Sequence, residues 1–385
     1  MNIDHLSLLE DYIKKHNFAG WDIFDGLNSQ FFKRSGLSRF SLFRLAWIQL
    51  FKRSPINFRR IAFVPPGLNP KALALFAAGH VLLGRLQEAE KLLQQLDELK
   101  HSGSDGVGWG YNFPWQARAF YVPRHKPNMV VTAFVAQAML DYYEATRDEK
   151  WLELVKSCCW FIINNLLLHE DDQVACFGYI PGETARVHNA NLMGAALLGR
   201  VHAYAGEQRF YELSGKSAAY SVAALSPEHL WPYGERSHHK FVDNFHTGFN
   251  LVALKQWMEA TGEIEYEPKV IAAYKKYLDV FWLEDGSPRY YHDRLYPIDI
   301  HNCAQGIVTC LYLSEYDDRS LKMAEKIASW AINNMQDSTG YFYYQKTRWY
   351  TNKIPYMRWS QAWMFYALAN YISYAKGNPG KLNIS

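Results

Sequence analysis

Two histidines stand where an acid–base catalyst would need them. His246 precedes Thr261 by 15 residues and His301 precedes Tyr316 by the same 15, so both occupy one register of consecutive helical stretches. An acid stands just ahead of each, Asp243 three residues before His246 and Asp299 two before His301. A carboxylate beside an imidazole can fix its tautomer and raise its basicity, which is what a general base requires. Asp243, with Asn189, Asn191, Asn244 and Asn302, is equally suited to capping helix N-termini.

Cations and aromatic rings gather around these positions. Arg118, Arg186, His188, Arg348 and Arg358 belong to a basic set that outnumbers the neighbouring carboxylates Glu183, Glu235, Asp243, Asp293 and Asp299. Trp109, Tyr111, Trp115, Tyr179, Trp231 and Tyr290 supply aromatic faces. Such faces stack on sugar rings, and arginine forks hold carboxylates in two-pronged geometry. The combination predicts an acidic, uronate-containing glycan as substrate, with Arg118, Arg186 and Arg358 on its carboxylate and Trp109, Trp115 and Trp231 stacked on sugar. Proton abstraction beside that carboxylate requires a base and an acid on opposite ring faces. His246 and His301 are the candidates, making an epimerase or a lyase the first reading. Hydrolysis by opposed carboxylates, Asp243 with Asp299 or Glu183 with Asp299, is the alternative. A non-catalytic glycan-binding scaffold is a third.

Other chemistries find no residues. His301 and Cys303 have no second cysteine at a matching helix start, so no metal site is expected. The sequence has no Gly-x-Ser-x-Gly elbow, phosphate-binding glycine loop or dinucleotide fingerprint, and no cofactor is expected.

The elements that must position these residues repeat along the chain. Six apolar stretches rich in Ala, Gly and other small residues open at Asn69, Asn128, Asn189, Asn244, His301 and Arg358, spaced by 59, 61, 55, 57 and 57 residues. Amphipathic helices alternate with them over 87–101, 149–168, 207–224, 267–283 and 319–336. The first kind is apolar nearly all round and belongs inside; the second has one wet face and belongs outside. Long loops, each with a Gly/aromatic signature such as Trp109-Gly110-Tyr111 or Phe177-Gly178-Tyr179, lead back to the next inner helix as short hairpins. Six hairpins in a closed double ring make an all-α (α/α)6 toroid with β-hairpin loops at one mouth; an open α-solenoid is the alternative. At that mouth the inner-helix N-termini converge, which favours anionic groups.

The chain has 385 residues, 49% hydrophobic and 21% charged, which excludes disorder and fibrous repeats. Aromatics are abundant, with 22 Phe, 26 Tyr and 13 Trp. Five scattered cysteines do not make a disulfide framework and suit a reducing compartment. The first residues lack the features of a signal peptide, and no stretch of 18 uninterrupted apolar residues occurs. A cytoplasmic location follows, peripheral to the inner membrane in one reading. That reading rests on the segment between Asp25 and Glu88, which holds ten cations and no carboxylate although the whole chain carries only +3. Within it, Phe40 to Phe51 is bulky and aromatic, suited to lying on anionic lipid or to packing on the toroid. The expected division is a basic, aromatic helical segment over 1–60 and a toroidal catalytic domain over 61–385. No recognised nucleic-acid module occurs.

The runs Trp109-Gly110-Tyr111-Asn112-Phe113-Pro114-Trp115-Gln116, Pro127-Asn128 through Thr132-Ala133-Phe134, and Val242-Asp243-Asn244-Phe245-His246-Thr247-Gly248 resemble bacterial polysaccharide-biosynthesis proteins of the VpsJ type. The likeness extends from about Gly20 onward. More distantly, the repeat is similar to the six-hairpin glycosidase superfamily. The resemblance implies a role in making or tailoring a surface polysaccharide, with an oligo- or polysaccharide as partner and contact with a membrane-bound assembly complex. It supplies no reaction, since that fold hosts several.

Overall fold

A computed structural model describes residues 3–116 and 121–377. The six small-residue stretches form α4 (Pro70–Leu82), α6 (Met129–Thr146), α8 (His188–Ala205), α10 (Asn244–Thr261), α12 (Ile300–Tyr312) and α14 (Trp363–Ala375). Each packs on the next, and α14 packs back on α4. That last contact makes the structure a ring and removes the open solenoid. These helices are buried on nearly every side: every residue from Pro70 to His80 is covered, as is every residue from His188 to Val201. Small side chains permit the close approach. A Cβ on Gly79 would meet Phe365 Cε1 at 2.7 Å across the α4–α14 seam.

Five outer helices are those expected: α5 (Leu86–Glu98), α7 (Glu149–Leu166), α9 (Gln208–Ala223), α11 (Glu267–Phe281) and α13 (Ser320–Met335). The sixth is α1 (Ile3–Lys15), which comes from the opposite end of the chain and packs against α14. Leu6, Leu9 and Ile13 enter the common core. His5 Nδ1 lies 2.9 Å from Gln336 Oε1, and Arg85 donates to Glu10 Oε2 at 2.6 Å, fastening α1 to its neighbours. The stretch 1–60 is therefore not one appendage beside a ring beginning at 61. Its first helix completes the double ring, because α14 has an apolar outer face and no later helix to cover it among the described residues. The remainder, with α2 (Gln30–Arg34) and α3 (Ser41–Arg53), packs through Leu27, Phe32, Ile48 and Phe51 beside the mouth.

Short antiparallel hairpins edge that mouth. Trp115–Gln116 pairs with Tyr121–Val122, and Ile298–Asp299, Gln345–Lys346 and Thr351–Asn352 form a three-stranded sheet. The last inner helix enters through one widened turn, Met357–Ala362, a π-helix in which the Gln361 N–H donates to Tyr356 O at 3.2 Å. Such turns recur at functional sites because they re-aim side chains.

Candidate active site

All six inner helices begin at one mouth, and four of them have polar caps. Asn69, Asn128, Asp243 and Asp299 each accept a backbone N–H of the first turn through the side chain. At α10 the cap does more. Asp243, buried, holds His246 Nδ1 at 2.8 Å and 2.9 Å through its two oxygens. The bond fixes the proton on Nδ1 and leaves Nε2 as the basic nitrogen. Among the described residues Nε2 has no hydrogen-bond partner, and the side chain keeps 20% of its surface exposed. The expected Asp–His pair is present here.

It is absent at α12. Asp299 accepts the His301 backbone N–H at 3.0 Å, Trp359 Nε1 at 2.9 Å and Gln345 Nε2 at 3.3 Å, and makes no bond to the imidazole. Burial raises the Asp299 carboxyl to about 6 against these bonds. His301 lies beneath Phe245, Trp359 and Trp363, with ring centroids at 4.8, 4.4 and 4.6 Å. It is 1% exposed and both ring nitrogens are unpartnered. Burial, followed by the charges of Lys71 and Arg358, pushes it well below the usual histidine range, so it is neutral. Phe245 touches both imidazoles, at 4.1 Å for His246 and 4.8 Å for His301. Only His246 faces the open mouth.

Aromatic residues from four of the loops rim the opening. Tyr111 Oη lies 3.2 Å from Tyr179 Oη, Trp115 meets Tyr179 edge-on at 6.1 Å, Tyr233 lies 4.6 Å from His246, and Tyr290 lies 5.9 Å from Phe245. Burial holds the phenols of Tyr179, Tyr233 and Tyr290 well above the ordinary tyrosine range, so they serve as hydrogen-bond donors.

Several expected contacts are redirected. Trp109 and Trp231 are buried between ring layers and donate their indole N–H to Leu96 O at 2.7 Å and Ser221 O at 2.9 Å. Each covers the end of an outer helix and presents no face for a sugar. His188 turns outward to Ser221 Oγ at 3.2 Å, away from the ring axis, and burial lowers it to about 4. Arg186 is half-exposed, bonding Tyr220 Oη at 3.1 Å with Glu235 Oε2 at 3.9 Å. Arg358 is buried in a two-pronged pair with Asp22, Nε to Oδ2 at 2.5 Å and Nη2 to Oδ1 at 2.8 Å. Arg348 lies exposed at a loop tip against Trp349. Arg118 falls outside the described residues. The clamp expected from three arginines therefore loses Arg186 and Arg358 to partners within the protein.

Two residues enter that sequence reasoning passed over. Lys71, 3% exposed, sits over Phe134, Phe249 and Trp363 at 4.0, 5.4 and 5.1 Å, and burial pulls it well below the lysine range. It follows its cap Asn69 by two residues, as His301 follows Asp299, and this shared register was the available signal. Asp22 carried none, since its partner lies 336 residues away. The rings over Lys71 also line a cavity of about 510 Å3 that extends to Leu83, Glu144 and Lys376 at the far ends of the inner helices. Among the described residues no cluster of His, Cys, Asp and Glu could hold a metal ion.

Solved structures share this architecture. A sugar epimerase from a ruminal bacterium is 14% identical with a TM-score of 0.60, covering 78% of this chain and 86% of its own. A GH76 α-mannanase from Bacteroides thetaiotaomicron is 12% identical with a TM-score of 0.60, covering 80% and 86%. The protein has the (α/α)6 toroid fold. A possible GH105 member from Salmonella enterica, 12% identical with a TM-score of 0.58, covers 81% of this chain and 84% of its own. No family model matches the chain and no curated protein matches it.

Proposed function

We propose that this toroid is a carbohydrate-active enzyme that moves a proton at a sugar carbon beside a carbonyl, with His246 as the acid–base group. The observation that carries the reading is the Asp243–His246 pair, its free Nε2 set beside Tyr233 within a rim of aromatic rings. In this reaction Nε2 takes the proton from carbon, and the electron pair passes to the carbonyl oxygen as an enediolate. Once the open-chain enediolate turns its other face to His246, the same Nε2–H returns the proton and inverts the centre. Amine or ammonium, Lys71 donates a hydrogen bond to the developing oxyanion.

The choice of reaction follows from the carboxylates. Hydrolysis requires two opposed ones. Asp243 is committed to His246, Asp299 to three donors, and Glu183 to Arg236 at 2.5 Å and to the Ala185 N–H at 3.0 Å. The commitment of Arg358 and Arg186 likewise weakens the acidic-glycan reading and favours a neutral, open-chain sugar end, whose carbonyl itself acidifies the neighbouring C–H. The fold is shared by a sugar epimerase and by glycoside hydrolases, and hydrolase remains the second reading on that account. The VpsJ-type resemblance supplies the setting, tailoring of a bacterial surface polysaccharide or its precursor. A scaffold that only binds glycan would have no turnover to lose.

Incubation in D2O with reducing mono- and disaccharides and with uronate polymers, read by NMR, tests this. Deuterium should enter at the carbon beside the carbonyl, and Asp243→Asn, which retains a good helix cap, should lower the rate by about 10²–10⁴-fold. New reducing ends without carbon-bound deuterium would transfer the case to hydrolysis. An unchanged rate in Asp243→Asn would remove His246 from the mechanism.

A further inference from the structure

The segment beside the mouth keeps a second apolar face that the toroid does not cover. Phe31, Phe40, Leu42, Ile56, Ile61 and Phe63 are each between 59% and 76% exposed. Exposed single apolar residues are ordinary, but a cluster of this size marks an interaction site. The cations interleaved with them, Lys33, Arg34, Arg39, Arg53 and Arg60, are also exposed, and no carboxylate occurs anywhere between Asp25 and Glu88. Phe63 holds its ring in solvent at φ +53°, the left-handed position that closes the turn through Phe63 N–H to Arg60 O at 3.2 Å and Val64 N–H to Arg59 O at 2.8 Å.

The face adjoins the mouth. Arg44 of α3 donates to Gln116 Oε1 at 2.7 Å, Lys52 lies 5.0 Å over Phe24, which meets Trp359 at 6.0 Å, and Tyr350 donates to Arg53 O at 3.2 Å beside the 82%-exposed Trp349.

We infer that this face docks on an anionic lipid membrane and sets the mouth against its surface. Single-sign charge, with apolar side chains able to enter the acyl boundary, complements a leaflet of acidic headgroups. A protein partner of matching shape would need carboxylates against each cation, whereas a headgroup layer supplies negative charge everywhere along the face. The inference does not depend on which reaction the mouth performs. It places the substrate at the membrane, as a saccharide carried on a lipid or emerging from one.

The test is sedimentation of the full chain with large vesicles of phosphatidylcholine alone and of phosphatidylcholine mixed with phosphatidylglycerol. Binding is expected only to the mixed vesicles and should weaken as salt rises. Replacing Arg39 or Arg60 by Gln should lower the partition coefficient about fivefold each, equivalent to about 1 kcal/mol per cation. Leu42→Ser should lower it further. Phe63→Gly removes an exposed ring and relieves the backbone, so it should weaken vesicle binding while thermal stability holds or rises. Equal binding to both vesicle types, or no binding to either, overturns the inference. So does concentration-dependent dimerisation, or capture of RNA, that blocks vesicle binding and is lost in Leu42→Ser.

Discussion

Replacing Asp22 by Asn should destabilise the protein by about 3–5 kcal/mol, because it strands a buried guanidinium. Arg358 and Asp22 are 3% and 4% exposed, and their two parallel bonds are 2.5 and 2.8 Å long. Removing one partner of a buried ion pair leaves an uncompensated charge and has an effect of that size, whereas removing both is far milder. An unfolding entropy of about 2.1 cal/mol/K per residue gives about 0.8 kcal/mol/K for this length, so the midpoint should fall by about 5 °C. Arg358→Met leaves the buried carboxylate alone and should lose a similar amount. The double variant Asp22→Asn/Arg358→Met should recover most of it, so the coupling energy approaches the sum of the single losses, about 5–8 kcal/mol. Urea denaturation of the four proteins at neutral pH, followed by tryptophan fluorescence, supplies the cycle. Raising the salt should change the coupling little, because a buried pair is poorly screened. Single variants within about 1 kcal/mol of the parent, or a double variant equal to their sum, would refute the argument that Arg358 is committed to Asp22. Arg358 would then return as a group free to bind substrate.

Three further outcomes are expected. His188, lowered by burial to about 4, is neutral in the folded protein, while the unfolded chain takes up a proton below about pH 6.5; stability should therefore be lost as pH falls from 6.5 to 4, by up to about 3 kcal/mol, and His188→Gln should flatten that limb in pH-dependent urea titrations. Gly79→Ala drives a Cβ to 2.7 Å from Phe365 and should destabilise the α4–α14 seam by about 1–3 kcal/mol, measured by thermal melting; no change would mean the seam is looser than described. Trp231→Phe should reduce stability by about 1 kcal/mol through loss of the bond to Ser221 O and leave sugar affinity intact, whereas Tyr233→Ala should do the reverse in a glycan-binding titration.

The ring was legible because it depends on local periodicity repeated six times. Burial on every side demands small, apolar helices, and that demand is visible in each stretch from Asn69 to Arg358. The Asp243–His246 pair was equally legible, since three residues on a first helical turn bring cap and imidazole together whatever surrounds them. The two-residue spacing of Asp299 and His301 looks similar in sequence. It places the carboxylate against the backbone N–H instead, and the imidazole turns under Phe245 and Trp359.

Aromatic and basic residues were legible as a population at the mouth, though not one by one. Tyr111, Trp115, Tyr179 and Tyr290 are at the rim, while Trp109 and Trp231, carrying the same loop signature, seal outer helices. Their direction depends on which carbonyl lies within reach of the indole, and that carbonyl belongs to another element.

Helix order, the count of six hairpins and the Asp243–His246 pair thus follow from the amino-acid sequence, because each depends on residues within a few turns of one another. Long-range closure assigned the rest. It brought α1 round to cover α14, joined Asp22 to Arg358 across 336 positions and buried Lys71 under three rings from three helices. These contacts are energetic consequences of burial: a charge taken from water must find a partner or shift its ionisation, and which partner is near is a property of the folded ring.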